Sequence, residues 1–315
     1  MTSFRRLLPA VVLTTTSSLM LASCSVETET ANAESDGPLT VYATTGYLAD
    51  AVLNIDPDAE VTTMVGPGGD PHTYQPSTQD IEAMRDVDLV FWNGLHLEAQ
   101  MIDQLESLGD KQLAVGEMLP EDMLLAWDQT DDEGNPLHDP HIWNSPDAWS
   151  LVVEDIADRM GEAVPASADE YEANATDFQE QISEADDWAQ EQLSSIPDPR
   201  VLVTGHDAFN YFGDTYGLEV RATDFISTQA ALSATELSDL ADYIVDNEVP
   251  VIFQDNQANP QAITSLREAV ESRGWDVEIS TEELFADSLG PTEPVDTYLG
   301  VFENNVNTVA QALGE

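Results

Sequence analysis

Residues 168–193 contain neither glycine nor proline, and their apolar positions Tyr171, Ala175, Phe178, Ile182, Ala185 and Leu193 recur near helical spacing. This predicts one long helix. At 1.5 Å per residue it would reach roughly 39 Å, enough to run the length of a lobe and join it to another. A rigid spine fits such a stretch better than a flexible linker. On both sides of it short β-like runs alternate with helical segments. Residues 39–43, 60–65, 88–92 and 112–115 read as strands before it, and 200–203, 219–222, 249–254 and 275–279 after it. That alternation predicts two α/β lobes with mainly parallel sheets flanked by helices. Ser77 with Asp80 marks a helix start running to about Arg85, and Ser233 with Glu236 forms a capping box for a helix through Tyr243 and Val245. Residues 56–58, 131–136 and 197–199 read as surface turns, and no tandem repeat occurs at solenoid periods.

A chain of 315 residues, 42% hydrophobic and 22% charged, can build a core in each lobe. Its charges are lopsided: 61 acids against 9 Lys+Arg give a formal −52, which argues against nucleic acid and anionic lipid surfaces as partners of the folded part. Cation binding stays open. One divalent ion does not require so many carboxylates, so the acidity reads as an adaptation to saline surroundings, where counterions screen self-repulsion. The single cysteine excludes an intramolecular disulfide framework and a cysteine-based zinc cluster. The lone lysine, Lys111, follows no GxxxxGK pattern, which excludes a P-loop nucleoside triphosphatase.

That cysteine has a place of its own. Arg5 and Arg6 precede a short apolar stretch over residues 7–21, and Leu21-Ala22-Ser23-Cys24 closes it with small residues. The stretch is too short and too rich in Ser and Thr for a membrane span, so it reads as a lipoprotein signal peptide (residues 1–23). Cys24 is then the lipidation site, and residues 24–37 form a polar, flexible tether. Residues 38–167 follow as the N-terminal lobe, 168–195 as the linking helix and 196–315 as the C-terminal lobe.

Of only five histidines, two share one local phrase: Asp70-Pro71-His72-Thr73-Tyr74 and Asp139-Pro140-His141-Ile142-Trp143. Proline fixes its own φ and restricts the residue before it, so each phrase offers its imidazole from a stiff loop, as a preplaced ligand needs. A single histidine is usually a satisfied loop or core residue, but a duplicated phrase is not explained that way.

These residues resemble the metal-binding lipoproteins of ABC importers for zinc and manganese. The run from Val65 through His72 to Pro76, with Asp80, residues 88–94, Leu97 and Glu98, is similar to that family's first signature, and Asp139 to Trp143 to its second. Thr204-Gly205-His206-Asp207 through Phe212, with Tyr216-Gly217, resembles the third, and Leu284 to Gly290 the fourth. The resemblance runs in order from about Leu39 to the C-terminus. It implies metal ligands His72 and His141 from the N-terminal lobe and His206 and Asp287 from the C-terminal lobe, with the ion in the cleft. It also implies a monomeric receptor, lipid-anchored on the extracytoplasmic face of the cell membrane, that hands its ion to the membrane subunit of an ABC permease.

Three neutral imidazoles and one carboxylate form a nitrogen-rich, closed tetrahedral set that suits Zn²⁺. Manganese-preferring relatives carry a glutamate where His206 stands, so the resemblance implies zinc first, with manganese as the alternative. A closed shell argues against catalysis: a zinc hydrolase would keep a position for water and commonly shows HExxH, which is absent. A metal-dependent surface adhesin of the same fold is the remaining alternative. Zinc-specific relatives often carry a long His-rich loop before the second motif. Here residues 131–138 are short and acidic, with His138 as an auxiliary metal contact at most. His96 is expected to be structural, at a helix start. Asp255 stands where relatives have a glutamate, and it is expected to brace the site or belong to the lobe's scaffold without ligating.

Overall fold

Two separate parallel sheets carry the chain, as its alternation requires. In the first half β1 (Thr40–Ala43), α1 (Gly46–Ile55), β2 (Glu60–Thr63), α2 (Thr78–Asp86), β3 (Leu89–Trp92), α3 (Ile102–Glu106) and β4 (Gln112–Ala114) follow in order. They build a sheet of order β2-β1-β3-β4, every pairing parallel. The central strands β1 and β3 are almost wholly buried and read as continuous apolar runs, whereas β2, at an edge, is largely exposed. A hairpin of β5 (Ala126–Thr130) and β6 (Pro136–His138) comes next, then α4 (Pro146–Ala163) and α5 (Ala168–Leu193). The second half contributes β7 (Val201–Thr204), α6 (Asn210–Tyr216), β8 (Glu219–Ala222), α7 (Ala234–Asp246), β9 (Val251–Asp255), α8 (Pro260–Glu271), β10 (Glu278–Leu284) and α9 (Tyr298–Gly314). Its sheet, also parallel, has the order β10-β9-β7-β8. The computed structural model describes residues 37–131, 134–226 and 232–314. The signal segment, Cys24 and the tether up to residue 36 lie outside the described residues.

The helix over 168–193 forms with the bounds that its composition dictates. Its first half inserts Tyr171, Ala175, Phe178 and Ile182 into the core beneath the first sheet, beside Leu48, Phe91 and Trp149. Its last turns place Ala189 and Leu193 in the core of the second sheet with Phe212 and Phe253. Each fully buried large side chain of this kind contributes about 1.5–3 kcal/mol, so the helix is fixed at both ends by packing rather than by propensity. A second bridge, which periodicity had not marked, is α9. Tyr298 and Val301 pack in the first core, while Phe302, Val306, Val309 and Leu313 pack in the second.

Local signals mostly translate directly. Both expected caps form as reciprocal boxes, Ser77 with Asp80 and Ser233 with Glu236. The turn expected at 131–136 falls on the connection between β5 and β6, where Asp131 N–H donates to the Asn135 carbonyl at 3.0 Å; residues 132 and 133 of it lie outside the described residues. The strand expected at 275–279 starts later, at Glu278: Gly274 turns at φ 92° and Trp275 Nε1 donates back to the Val249 carbonyl. Among the described residues no helix is long and apolar enough to cross a membrane.

Candidate metal centre

Ligand-bearing loops gather at the carboxyl ends of the parallel strands, the usual place for a site in open α/β sheets. His206 follows β7 and Asp287 follows β10, while His72 lies in the loop after β2 and His141 just beyond the β6 hairpin. The two Asp-Pro-His phrases fold by the same device. Asp70 Oδ1 accepts the His72 backbone N–H at 2.8 Å, and Asp139 Oδ1 accepts that of His141 at 3.0 Å. Each aspartate thus closes a turn over the proline, which has no N–H to compete. Asp139 Oδ1 also takes a 2.6 Å contact from His141 Nδ1, which fixes the tautomer and turns Nε2 toward the site.

His206 is held through its backbone. Asp255 Oδ2 accepts the N–H groups of Gly205 at 2.8 Å and His206 at 2.9 Å. Glycine is required before the histidine, because a Cβ there would sit 2.3 Å from Ala258 Cβ. Asp287 is fixed by its neighbours: the Ala286 carbonyl accepts from Trp143 Nε1 at 2.9 Å and from the Tyr47 hydroxyl at 3.0 Å, and Ala286 N–H donates to Asn256 Oδ1. Tyr47 and Trp143 stack at 4.9 Å, and Trp143 lies edge-on to His141, so an aromatic wall closes one side.

The structure brings all four expected ligands together, each buried. Nε2 of His141 lies 3.2 Å from Nε2 of both His72 and His206. Asp287 oxygens lie 3.6, 3.4 and 3.3 Å from Nε2 of His72, His141 and His206. An ion held at about 2.0–2.1 Å in a tetrahedral shell separates its ligand atoms by roughly 3.3–3.4 Å, and these five distances fall close to that value. Neither carboxylate oxygen of Asp287 accepts a hydrogen bond although both are buried, an arrangement that calls for a cation. Among the described residues no other group of three or more His, Cys, Asp or Glu side chains approaches as closely.

Electrostatics sort the four groups. Burial resists charge on every member. Nevertheless Asp139 and Asp287 raise the His141 imidazolium to about 10, and Asp287 raises that of His206. His72, dominated by burial and facing two other imidazoles, falls to about 3. The imidazoles in turn hold Asp287 well below the usual carboxylate range against its own desolvation. Binding a metal ion therefore displaces protons from His141 and His206.

The remaining motif residues are braces. Glu98, buried, accepts from Thr44 Oγ1 and from the N–H groups of Asn93 and Gly94, and Asn93 Nδ2 reaches across to the Pro140 carbonyl beside His141. Asp80 accepts from the Tyr42 and Tyr74 hydroxyls, fixing the aromatic two residues beyond His72. Asp255 braces His206 and does not join the four-ligand group, as its expected role had it; burial raises its carboxyl to about 6. His138 and His96 stand away from the four-ligand group and line a separate cleft of about 960 Å³ with Gln100, Asp103 and Glu117. His96 is not at a helix start: it turns at φ 70°, and α3 begins only at Ile102. Sequence reasoning missed Tyr47, Asn210, Asn256, Gln257 and Ser288. Asn210 Nδ2 joins Asp139 Oδ2 to Asp207 Oδ1, which ties α6 to the second Asp-Pro-His phrase. Asn210 and Ser288 had the signal of lying close to a ligand along the chain, and Tyr47, Asn256 and Gln257 had none.

A family model described as zinc-uptake complex component A, periplasmic (ZnuA), matches residues 41–312. The manganese-binding lipoprotein MntA of Bacillus subtilis (strain 168) is 34% identical over 291 residues, covering 91% of this chain and 93% of that protein. The zinc-binding protein TroA of Treponema pallidum (strain Nichols) is also 34% identical, over 287 residues, with 90% and 91% covered. The iron-binding protein YfeA of Yersinia pestis is 29% identical over 280 residues, covering 87% of this chain and 86% of that protein. The solved structure of the periplasmic zinc-binding protein TroA superposes with a TM-score of 0.83, covering 89% of this chain and 100% of that one.

Proposed function

The chain belongs to the ZnuA family of metal-binding receptors for ABC importers, and from that premise we propose that it captures Zn²⁺ outside the cell membrane through His72, His141, His206 and Asp287. The ion passes to the membrane subunit of a cognate ABC permease. The observation that carries this reading is the buried set of three imidazole nitrogens and one carboxylate, with ligand atoms 3.2–3.6 Å apart in five of the six pairs. A nitrogen-rich set favours zinc over manganese, which prefers more oxygen. Manganese is the second reading, supported by MntA, which is as similar to this chain as TroA is. Cys24 carries the lipid anchor, with residues 24–37 as tether. The division into residues 38–167, 168–195 and 196–315 belongs to the same reading, supported by two separate sheets and by a helix, α5, that enters both cores.

Uptake tests it. Cells lacking the chain are expected to lose zinc accumulation at limiting zinc and to recover it with the wild-type gene but not with Asp287→Ala. Cys24→Ser is expected to leave the membrane fraction while the released protein still binds metal, because anchor and site are separate. Unchanged zinc accumulation on deletion would refute the transport reading, and a Cys24→Ser protein that stayed with the membrane would refute the anchor.

A further inference from the structure

Three consecutive residues at the end of β9, none of them in the four-ligand group, grip three of the four ligand-bearing segments. Asp255 takes the backbone N–H groups of Gly205 and His206. Asn256 holds the segment around Asp287 from both sides: its Oδ1 accepts Ala286 N–H at 2.8 Å, and its Nδ2 donates to the carbonyl and Oγ of Ser288 at 2.9 Å each. Gln257 reaches the other way, its Nε2 donating to the Gly69 carbonyl at 2.7 Å, in the loop that carries His72. Ser288, buried, adds a second tie to that loop by accepting Gly68 N–H at 2.9 Å.

The His72 loop is the natural moving part. It follows β2, an exposed edge strand of the first sheet, and the His206 and Asp287 segments follow the central β7 and the edge strand β10 of the second. Gly66, Pro67 and Gly68 at its tip are exposed, and Gly68 turns at φ 70° with open space around its Cα. Between buried Val65 and buried Pro71 this tip buries no apolar side chain, and such a segment opens at lower free energy than the core around it. All four ligands being buried, an ion leaves only after some segment moves.

We propose that Gln257 and Ser288 form a latch that holds the His72 loop against the second sheet's loops and sets how fast the captured ion is released. They are positioning residues, acting on His72 through the backbone of Gly68 and Gly69. Asn256 is the fixed post of the latch, since it orients Ser288 and the Asp287 segment together. This rests on the receptor reading above and adds to it the control of release. Capture, which begins with the loop open, does not need the latch.

The test is stopped-flow transfer of Zn²⁺, and separately Mn²⁺, from the loaded full chain to excess chelator, with capture rate and metal content measured on the same samples. Gln257→Leu removes one neutral hydrogen bond to the loop and Ser288→Ala removes another, together with the Asn256 bond to the same oxygen; release is expected to quicken about threefold for either and on the order of tenfold for both. Capture should stay within about twofold, loading at one ion per chain, and the ratio of zinc to manganese affinity should not move. A merely structural role would lower the melting temperature of the metal-free protein without altering release. Ser288→Thr, which keeps an acceptor oxygen, is expected to retain the slow release. Should the double variant misfold, the single variants carry the same comparison. Wild-type protein that binds no ion would overturn the receptor reading and the latch with it. Normal loading with release unchanged in folded variants would overturn the latch alone.

Discussion

His72→Ala, His141→Ala and Asp287→Ala are each expected to weaken Zn²⁺ binding by about 100- to 1,000-fold, which is the share of one ligand in a four-ligand site of roughly 10–16 kcal/mol. Removing any one leaves a buried shell with a gap that only water can fill. For Asp287→Ala the loss also takes away the carboxylate facing all three Nε2 atoms. His96→Ala and His138→Ala should stay within about twofold, because neither belongs to the four-ligand group. Circular dichroism on each variant separates lost ligation from lost fold. His206→Glu is the discriminating member of the set. It exchanges nitrogen for oxygen, so the ratio of dissociation constants should move toward manganese by about tenfold, with zinc still the tighter in absolute terms by the Irving–Williams order. An unchanged ratio with both affinities intact would remove His206 from the site.

Lowering the pH from 7 to 5 is expected to weaken zinc binding by about 100- to 10,000-fold, one to two protons being displaced per ion across that range. The sign follows from the metal-free cluster. Burial opposes charge on His141 and His206, but Asp139 and Asp287 outweigh it for His141, and Asp287 for His206, so both bind protons more tightly than free imidazole. A raised value means that acid favours the empty site. Because the His141 proton is held up to about 10, affinity should keep rising between about pH 7 and 9, where a site of ordinary imidazoles near 6.5 would have levelled off. For the metal-free fold the same shift is stabilising below about pH 6.5. That stabilisation is lost as pH rises through about 10. Competition against a chelator of known proton affinity, at fixed ionic strength, measures the slope. A plateau from pH 7 upward would show that Asp139 does not hold His141 as its 2.6 Å contact implies.

Much of this architecture was legible along the chain because its causes are local. Helix α5 follows from apolar spacing, and the caps at Ser77 and Ser233 follow from side chains that reach three residues ahead. The two Asp-Pro-His phrases announced His72 and His141 for the same reason: each aspartate acts two residues away. What sequence could not show is long-range. The order of strands in each sheet depends on which edges pair, and the bridge made by α9 depends on two cores meeting one helix. Gln257 touches Gly69, and Tyr47 touches Ala286, across separations that leave no trace in spacing. His96 was misplaced because Leu95 and His96 both adopt positive φ, a turn that local propensity does not favour for either.

The most direct measurement is zinc-edge X-ray absorption on the full chain loaded with Zn²⁺, with metal content determined on the same sample. One ion per chain is expected, with a first shell of four nitrogen or oxygen neighbours at about 2.0–2.1 Å and outer scattering from three imidazoles. In Asp287→Ala a water oxygen should take the carboxylate's place while the imidazole scattering persists. A shell of mostly oxygen neighbours with fewer than three imidazoles, or a wild-type spectrum unchanged by His141→Ala at full loading, would contradict a site built from His72, His141, His206 and Asp287.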